Sequence, residues 1–439
     1  MNPQKEAAAL KKIENAISIL EAQKSLDTEE LVAKYYVERE SKFINKLKKE
    51  IRLSKGRTIK ILFSGHMGSG KSSELFKLKE DLQDEFLSIY YSIKEYMNLF
   101  GIDVSALIET IAVQLRKIFE EKKIKLKEDS KDIIDKLDNW KSRERQTQYR
   151  EEKRAGKAGI GGSLVVAEAR GELHSEKGTK TEKVWEQEPD INNLIMSLNR
   201  LIKNIQEETK KELIIIIDDI DKLDLADAEN LFLRYSRTMT ALNCKIIYTV
   251  PISLLYSHHY RQFESFYHRS YLLPISRVKN KDGSDNEAGI REMQKIIAKR
   301  ISPKLFAEGA LKKAILASGG IIRDAIRIIQ ECCLICVTEN KPMIHEAAVN
   351  EAISSIKNEF LRQIPKDLYP KLIEVKNSPS KKPDNDQELQ KLLYCLGVLE
   401  YINDDTWYDV HPLALELAEQ KEKELRAKEE ELARSRDET

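Results

Sequence analysis

Gly65-His66-Met67-Gly68-Ser69-Gly70-Lys71-Ser72 spells G-x-x-x-x-G-K-S without a gap. Each position has a mechanical task in holding a nucleoside triphosphate. The glycines let backbone N–H groups curl inward around the β- and γ-phosphates, Lys71 reaches the phosphate oxygens, and Ser72 offers its hydroxyl to Mg²⁺. The predicted cradle runs through Gly65, His66, Met67, Gly68, Ser69, Gly70, Lys71, Ser72 and Ser73, with ATP or ADP and Mg²⁺ as its cofactors. The flanks agree. Ile59-Lys60-Ile61-Leu62-Phe63 reads as a buried strand, and Ser73-Glu74-Leu75-Phe76-Lys77-Leu78 opens a helix whose N-terminus favours anions. A chance glycine turn would lack that strand–loop–helix context.

A second segment supports the first. Leu213-Ile214-Ile215-Ile216-Ile217 is wholly apolar and largely β-branched, as a central parallel strand covered on both faces must be. It ends in Asp218-Asp219. An acid at the end of such a strand holds Mg²⁺ in phosphate-loop enzymes, which makes Asp218 the expected metal ligand. Asp219 then sits where a carboxylate polarises the attacking water.

The composition bounds the rest. A chain of 439 residues is too long for one core, and two to four domains are expected. Lysine plus arginine (74) balances aspartate plus glutamate (73), so no global field draws the chain onto nucleic acid. No apolar stretch reaches membrane-spanning length, and Met1-Asn2-Pro3-Gln4-Lys5 lacks the layout of a signal peptide. Cys333-x-x-Cys336 falls within an apolar helical run and has no second pair, so it reads as a buried thiol face. A reducing cytoplasm is the expected location.

Strands are expected at Ile59–Ser64, Leu87–Ile93, Leu213–Ile217, Lys245–Val250 and Tyr271–Ile275, with helices between most of them. The fold class is therefore α/β, a parallel five-stranded P-loop sheet. A helical lid follows, with helices near Glu287–Ile301, Leu305–Ala317, Ile321–Val337 and Ile344–Leu361. Two further helices, near Asp367–Val375 and Gln387–Leu396, precede Val398–Ile402, an acidic turn at Asn403-Asp404-Asp405, and Thr406–Val410, the outline of a winged helix. The expected domains are an N-terminal helical lead segment (1–45), the ATPase core (46–280), the lid (281–362), the winged-helix-like unit (363–420) and a charged tail (421–439). Within the core, 142–188 is a charged insertion, mobile or ordered only by a partner.

Six further signals lie outside the phosphate loop. Tyr36-Val37-Glu38-Arg39-Glu40 leads into the core, and Ile214–Asp221 continues into Lys222-Leu223. Tyr248-Thr249-Val250-Pro251 ends the fourth strand, and Tyr267-His268-Arg269-Ser270 precedes the fifth. Ser318-Gly319-Gly320-Ile321-Ile322-Arg323 opens the third lid helix, and Val410-His411-Pro412-Leu413 ends the winged unit. Together these resemble AAA+ and STAND ATPases, in the branch that joins replication-origin initiators to NB-ARC-type switch proteins. The resemblance implies that Val37 and Arg39 border the adenine and that Thr249 is a polar sensor beside the γ-phosphate. It implies that Arg269 reaches the nucleotide of a neighbouring subunit, that Arg323 is the second sensor, and that His411 binds the ADP β-phosphate. Two departures stand out. No proline follows Gly319-Gly320, and Pro412 replaces the aspartate expected after the histidine.

Three classes of function follow. The first is a slowly hydrolysing nucleotide switch that forms a homo-oligomer on ATP and signals to a separately encoded protein partner. The resemblance adds bacterial antiphage defence as its setting. The second is a DNA-loading ATPase of the origin-initiator or transposition-regulator type, in which the winged unit reads DNA. The third is a plain nucleotide-binding scaffold. An acidic wing turn weighs against DNA, since a phosphate-contacting wing should be basic. No further catalytic constellation is present in the sequence.

Overall fold

The computed structural model describes residues 3–21, 25–39, 43–99, 101–124, 191–402 and 405–437. The charged insertion at 142–188 lies outside them, as do Asn403 and Asp404 of the wing turn. Five strands form one sheet: β1 (Lys60–Ser64), β2 (Phe86–Ser92), β3 (Glu212–Asp218), β4 (Lys245–Thr249) and β5 (Arg269–Leu272). All pairings are parallel, in the order β2-β3-β4-β1-β5. The phosphate loop leaves β1 at the carboxyl edge, where Asp218 and Thr249 also end their strands.

A parallel sheet needs cover on both faces, and the isoleucine run of β3 supplies both. Ile214 and Ile216 face Leu47 and Ile51 of the helix Phe43–Leu53 and Leu75 and Leu78 of the helix Lys71–Leu82. Ile215 and Ile217 face the other way, with Leu107 and Ile111 of the helix Val104–Glu121 and Leu198 and Leu201 of a helix over 191–209. These four isoleucines are fully buried, each worth about 1.5–3 kcal/mol.

The fifth strand begins and ends earlier than its apolar run predicts. The ladder's last bond is Leu273 N–H to the Ser64 carbonyl at 2.8 Å. Pro274 follows with no N–H to give, and the strand stops. Arg269 consequently lies within β5 rather than ahead of it.

The lid contains the helices Glu287–Ala298, Ala310–Ala317, Ile322–Thr338 and Glu346–Leu361. The second starts later than its sequence pattern, because a 3₁₀ turn at Pro303–Leu305 and Gly309 at φ 78° precede it. The N-terminal helix Pro3–Ile19 packs on this lid, with Ile13 and Leu20 in its core and Gln330 Nε2 donating to the Ile17 carbonyl at 3.2 Å. Cys332, Cys333 and Cys336 are buried in the same core, which pushes all three thiols up.

The C-terminal unit has helices Tyr369–Asn377 and Gln387–Tyr394, then an antiparallel hairpin of β6 (Val398–Ile402) and β7 (Thr406–Val410). A final helix runs from Pro412 to Asp437, starting before the predicted tail. It is tied back by Lys376 to Glu422 at 2.9 Å. Among the described residues no helix is long and apolar enough to cross a membrane.

Candidate nucleotide site

The loop between β1 and the helix Lys71–Leu82 has the backbone that its glycines allow. Gly68 and Gly70 take φ of 80° and 97°, a region that costs a side chain strain. Lys71 turns back over the loop. Its ammonium donates to the carbonyls of Gly65 at 2.8 Å and His66 at 3.0 Å, and pairs with Asp221 at 2.7 Å. Two of its N–H groups are thus spent on loop carbonyls, and its charge is met by Asp221.

The acids sit beside it. Carboxylate oxygens of Asp218, Asp219 and Asp221 lie within 4.8 Å of one another. The register Ser92↔Asp218 brings β2 hydroxyls onto them. Tyr90 Oη donates to Asp218 at 2.7 Å, and Ser92 Oγ to Asp219 at 2.6 Å. Burial, with Asp221 and Asp219 as neighbours, pushes the Asp218 carboxyl up to about 6, against hydrogen bonds from Ser72 and Tyr90. Asp219 is different. Burial opposes its charge, but hydrogen bonds from Lys222 and Ser92 outweigh that and hold it below the usual carboxylate range. Lys94 stands 3.8 Å from it, and its backbone sits at φ 69°. The hydroxyl of Ser72 with these carboxylates makes a hard oxygen set that suits Mg²⁺.

The lid closes the other side. The N–H of Arg323 donates to the Gly68 carbonyl at 3.2 Å. A Cβ on Gly68 would come within 2.7 Å of the Arg323 Cβ, so the two backbones approach this closely only because residue 68 is glycine. The hollow left between loop and lid is about 80 Å³, bounded by Lys71, Ser72, Asp219, Arg300, Ile322 and Arg323, among others. The C-terminal hairpin covers His66, whose Nε2 accepts from the Glu400 N–H at 2.8 Å. His66 is buried, and that burial, with Lys71 and His411 nearby, holds its imidazole down to about 3. It is therefore neutral, and an acceptor at Nε2 requires the proton on Nδ1.

The structure brings together Gly65 to Ser73, Asp218, Asp219 and Arg323. Arg39 grips the loop from behind, donating to the Ser69 carbonyl at 3.1 Å and the Pro274 carbonyl at 2.7 Å, while Val37 packs into the lid core. Thr249 is fully buried. Its hydroxyl bonds the Ile217 carbonyl at 3.3 Å and accepts from the Ile220 N–H at 3.1 Å, bracing the acidic turn from beneath. Arg269 is outside this site, half exposed and 3.5 Å from Glu50. His411 is not on the wall of the hollow. Its Nδ1 accepts the Leu413 N–H at 3.1 Å, and its Nε2 lies 3.1 Å from Asp324, the residue after Arg323. Both ring nitrogens are occupied within the protein. Asp221, Tyr90, Ser92, Lys222 and Glu400 were given no role by the sequence. Asp221 and Lys222 had a visible signal there, in the run Asp218-Asp219-Ile220-Asp221-Lys222.

Residues 40–247 match the KAP family P-loop domain, and with this loop and sheet that stretch is a P-loop NTPase domain. Solved structures similar over most of the chain include a Walker-type ATPase of Pyrococcus abyssi, at 14% identity and a TM-score of 0.46, covering 91% of this chain and 99% of that one. Another is the ORC2 protein of Aeropyrum pernix in ADPNP and ADP complexes, at 12% identity and 0.42, covering 88% and 93%. The ORC1 protein of Aeropyrum pernix in complex with DNA matches at 12% and 0.41, covering 92% and 95%. Among curated proteins the sequence finds no match.

Proposed function

We propose that this chain is an ATP-binding, slowly hydrolysing molecular switch of the AAA+/STAND type, which assembles or signals to a protein partner according to its nucleotide. The observation that carries this is the approach of lid to loop. Arg323 and Ile322 press on Gly68 and Gly70 across a hollow of about 80 Å³, well under the ~300–1,000 Å³ of a ligand pocket. A nucleotide that fills the loop must displace the lid, and the helices packed on the lid must feel it. When bound, Mg²⁺ supplies charge neutralisation at the phosphates, and Ser72 and Asp218 would hold it. Asp219 orients the attacking water, and its ties to Lys222 and Ser92 make turnover slow. Arg269, turned away from its own site, serves a neighbouring subunit. His411 acts on the nucleotide through Asp324 and the lid. The setting in antiphage defence rests on the resemblance alone.

Mass photometry with ADP and with a non-hydrolysable ATP analogue, with and without duplex DNA, tests the reading. Assembly driven by the ATP analogue without DNA is expected. Assembly only on DNA would transfer the case to the DNA-loading alternative, and no nucleotide dependence at all would leave a scaffold.

A further inference from the structure

Residue 66 makes two bonds, one through its backbone and one through its ring. Its carbonyl takes one N–H of Lys71 at 3.0 Å, and its imidazole takes the Glu400 N–H of the hairpin at 2.8 Å. The same hairpin has a second anchor on the lid. Tyr401 Oη donates to the Gly319 carbonyl at 2.8 Å, and Leu399 lies against that glycine so tightly that a Cβ there would come 2.4 Å from its Cδ1. Both anchors stand on pieces that the nucleotide site contains or displaces. His66 and Glu400 are nearly closed to water, at 2% and 5% exposure, so their bond has no solvent substitute. Leaving either partner unmet costs more than an exposed hydrogen bond would.

Resting on the switch reading above, we propose that His66 is a positioning residue that relays phosphate occupancy of the loop to the C-terminal hairpin. Lys71 spends two N–H groups on the Gly65 and His66 carbonyls and faces Asp221 with its charge. A phosphate in the loop takes the place of the His66 carbonyl. Releasing the His66 carbonyl frees the peptide that carries the imidazole, and with it the bond to Glu400. A ligand shifts such an equilibrium only by its differential affinity for the two states, and exchange of the His66 carbonyl for phosphate at Lys71 supplies the difference.

The test is hydrogen exchange at the Glu400 amide, resolved to single residues, without nucleotide and with a non-hydrolysable ATP analogue at a concentration that calorimetry shows to be saturating. Exchange at Glu400 should rise at least tenfold with the analogue in the wild type. In His66→Ala it should be fast with and without nucleotide. His66→Gln, whose Oε1 can take the place of Nε2 as acceptor, should restore the dependence. Saturable binding with unchanged exchange at Glu400 in the wild type would overturn the relay while leaving the site intact, and needs no variant to fold. Persistence of the effect in His66→Ala, or its absence in a folded His66→Gln, would also overturn it. Failure of the wild type to bind any nucleotide by calorimetry would instead overturn the site itself.

Discussion

Lys71 Nζ lies 2.7 Å from Asp221 Oδ2, and both side chains are 5% exposed. The loop lysine therefore has a structural partner as well as a phosphate to reach. Breaking a buried pair from one side leaves an uncompensated charge, at a cost of about 3–5 kcal/mol. Lys71→Ala should lose tight ATP binding and also lower the urea midpoint, and Lys71→Ala/Asp221→Asn should regain stability but no binding. Unchanged stability in the single variant, or ATP affinity restored in the double, would break the link.

Asp219 is the only acid of the three held by two lysines and a hydroxyl, and its backbone is left-handed. Asparagine tolerates that backbone nearly as well as aspartate. Asp219→Asn should keep ATP bound while cutting turnover by about a hundredfold or more, the scale of a lost acid–base group. Phosphate release at the wild-type rate would take the water-orienting role away from Asp219.

Arg269 lies outside its own site, beside Glu50 at 3.5 Å and within reach of the Tyr271 hydroxyl. Arg269→Ala should leave the melting temperature within a degree or two, yet reduce hydrolysis in assembled protein. Mixing it with Lys71→Ala should recover activity, since each supplies the half-site that the other lacks. A normal oligomer with no recovery rules out an arginine acting across subunits.

Glu400 offers a pH test. Its burial pushes the carboxyl up to about 7, partly offset by Tyr256, against an ordinary value near 4.5. A raised acid binds its proton more tightly in the folded state. Its contribution is fully present below about pH 4.5 and is lost as pH climbs through 7. Between pH 4.5 and 8 the unfolding free energy should fall by up to about 3 kcal/mol from this group. Glu400→Gln should flatten that slope in urea titrations at the two ends, and an unchanged slope would assign it elsewhere.

The parts legible in the sequence are those whose cause is local. The phosphate loop's fixed glycine at Gly70, and a further one at Gly68, stand where the backbone is left-handed. β3, β6 and β7 announce themselves by composition, and the hairpin bounds agree to the residue. β5 misled because Leu273, Pro274 and Ile275 continue an apolar run that the missing proline N–H cuts short. Tyr90 and Ser92 were silent for another reason. They reach Asp218 and Asp219 only through a β2–β3 register that spans more than a hundred residues. The His66–Glu400 bond joins positions 334 apart. No spacing rule reaches that far.

The N-terminal helix carries one more consequence. Pro3–Ile19 finds its partner in the lid, where Gln330 bonds Ile17 across 313 residues of chain. On a ribosome adding about 5–20 residues per second, that partner arrives roughly 16–60 s later. During this interval Ile13 and Leu20 have no lid core to enter. The lid thus closes over a segment made 313 residues before its partner, and a nascent-chain chaperone has that whole interval of access to it.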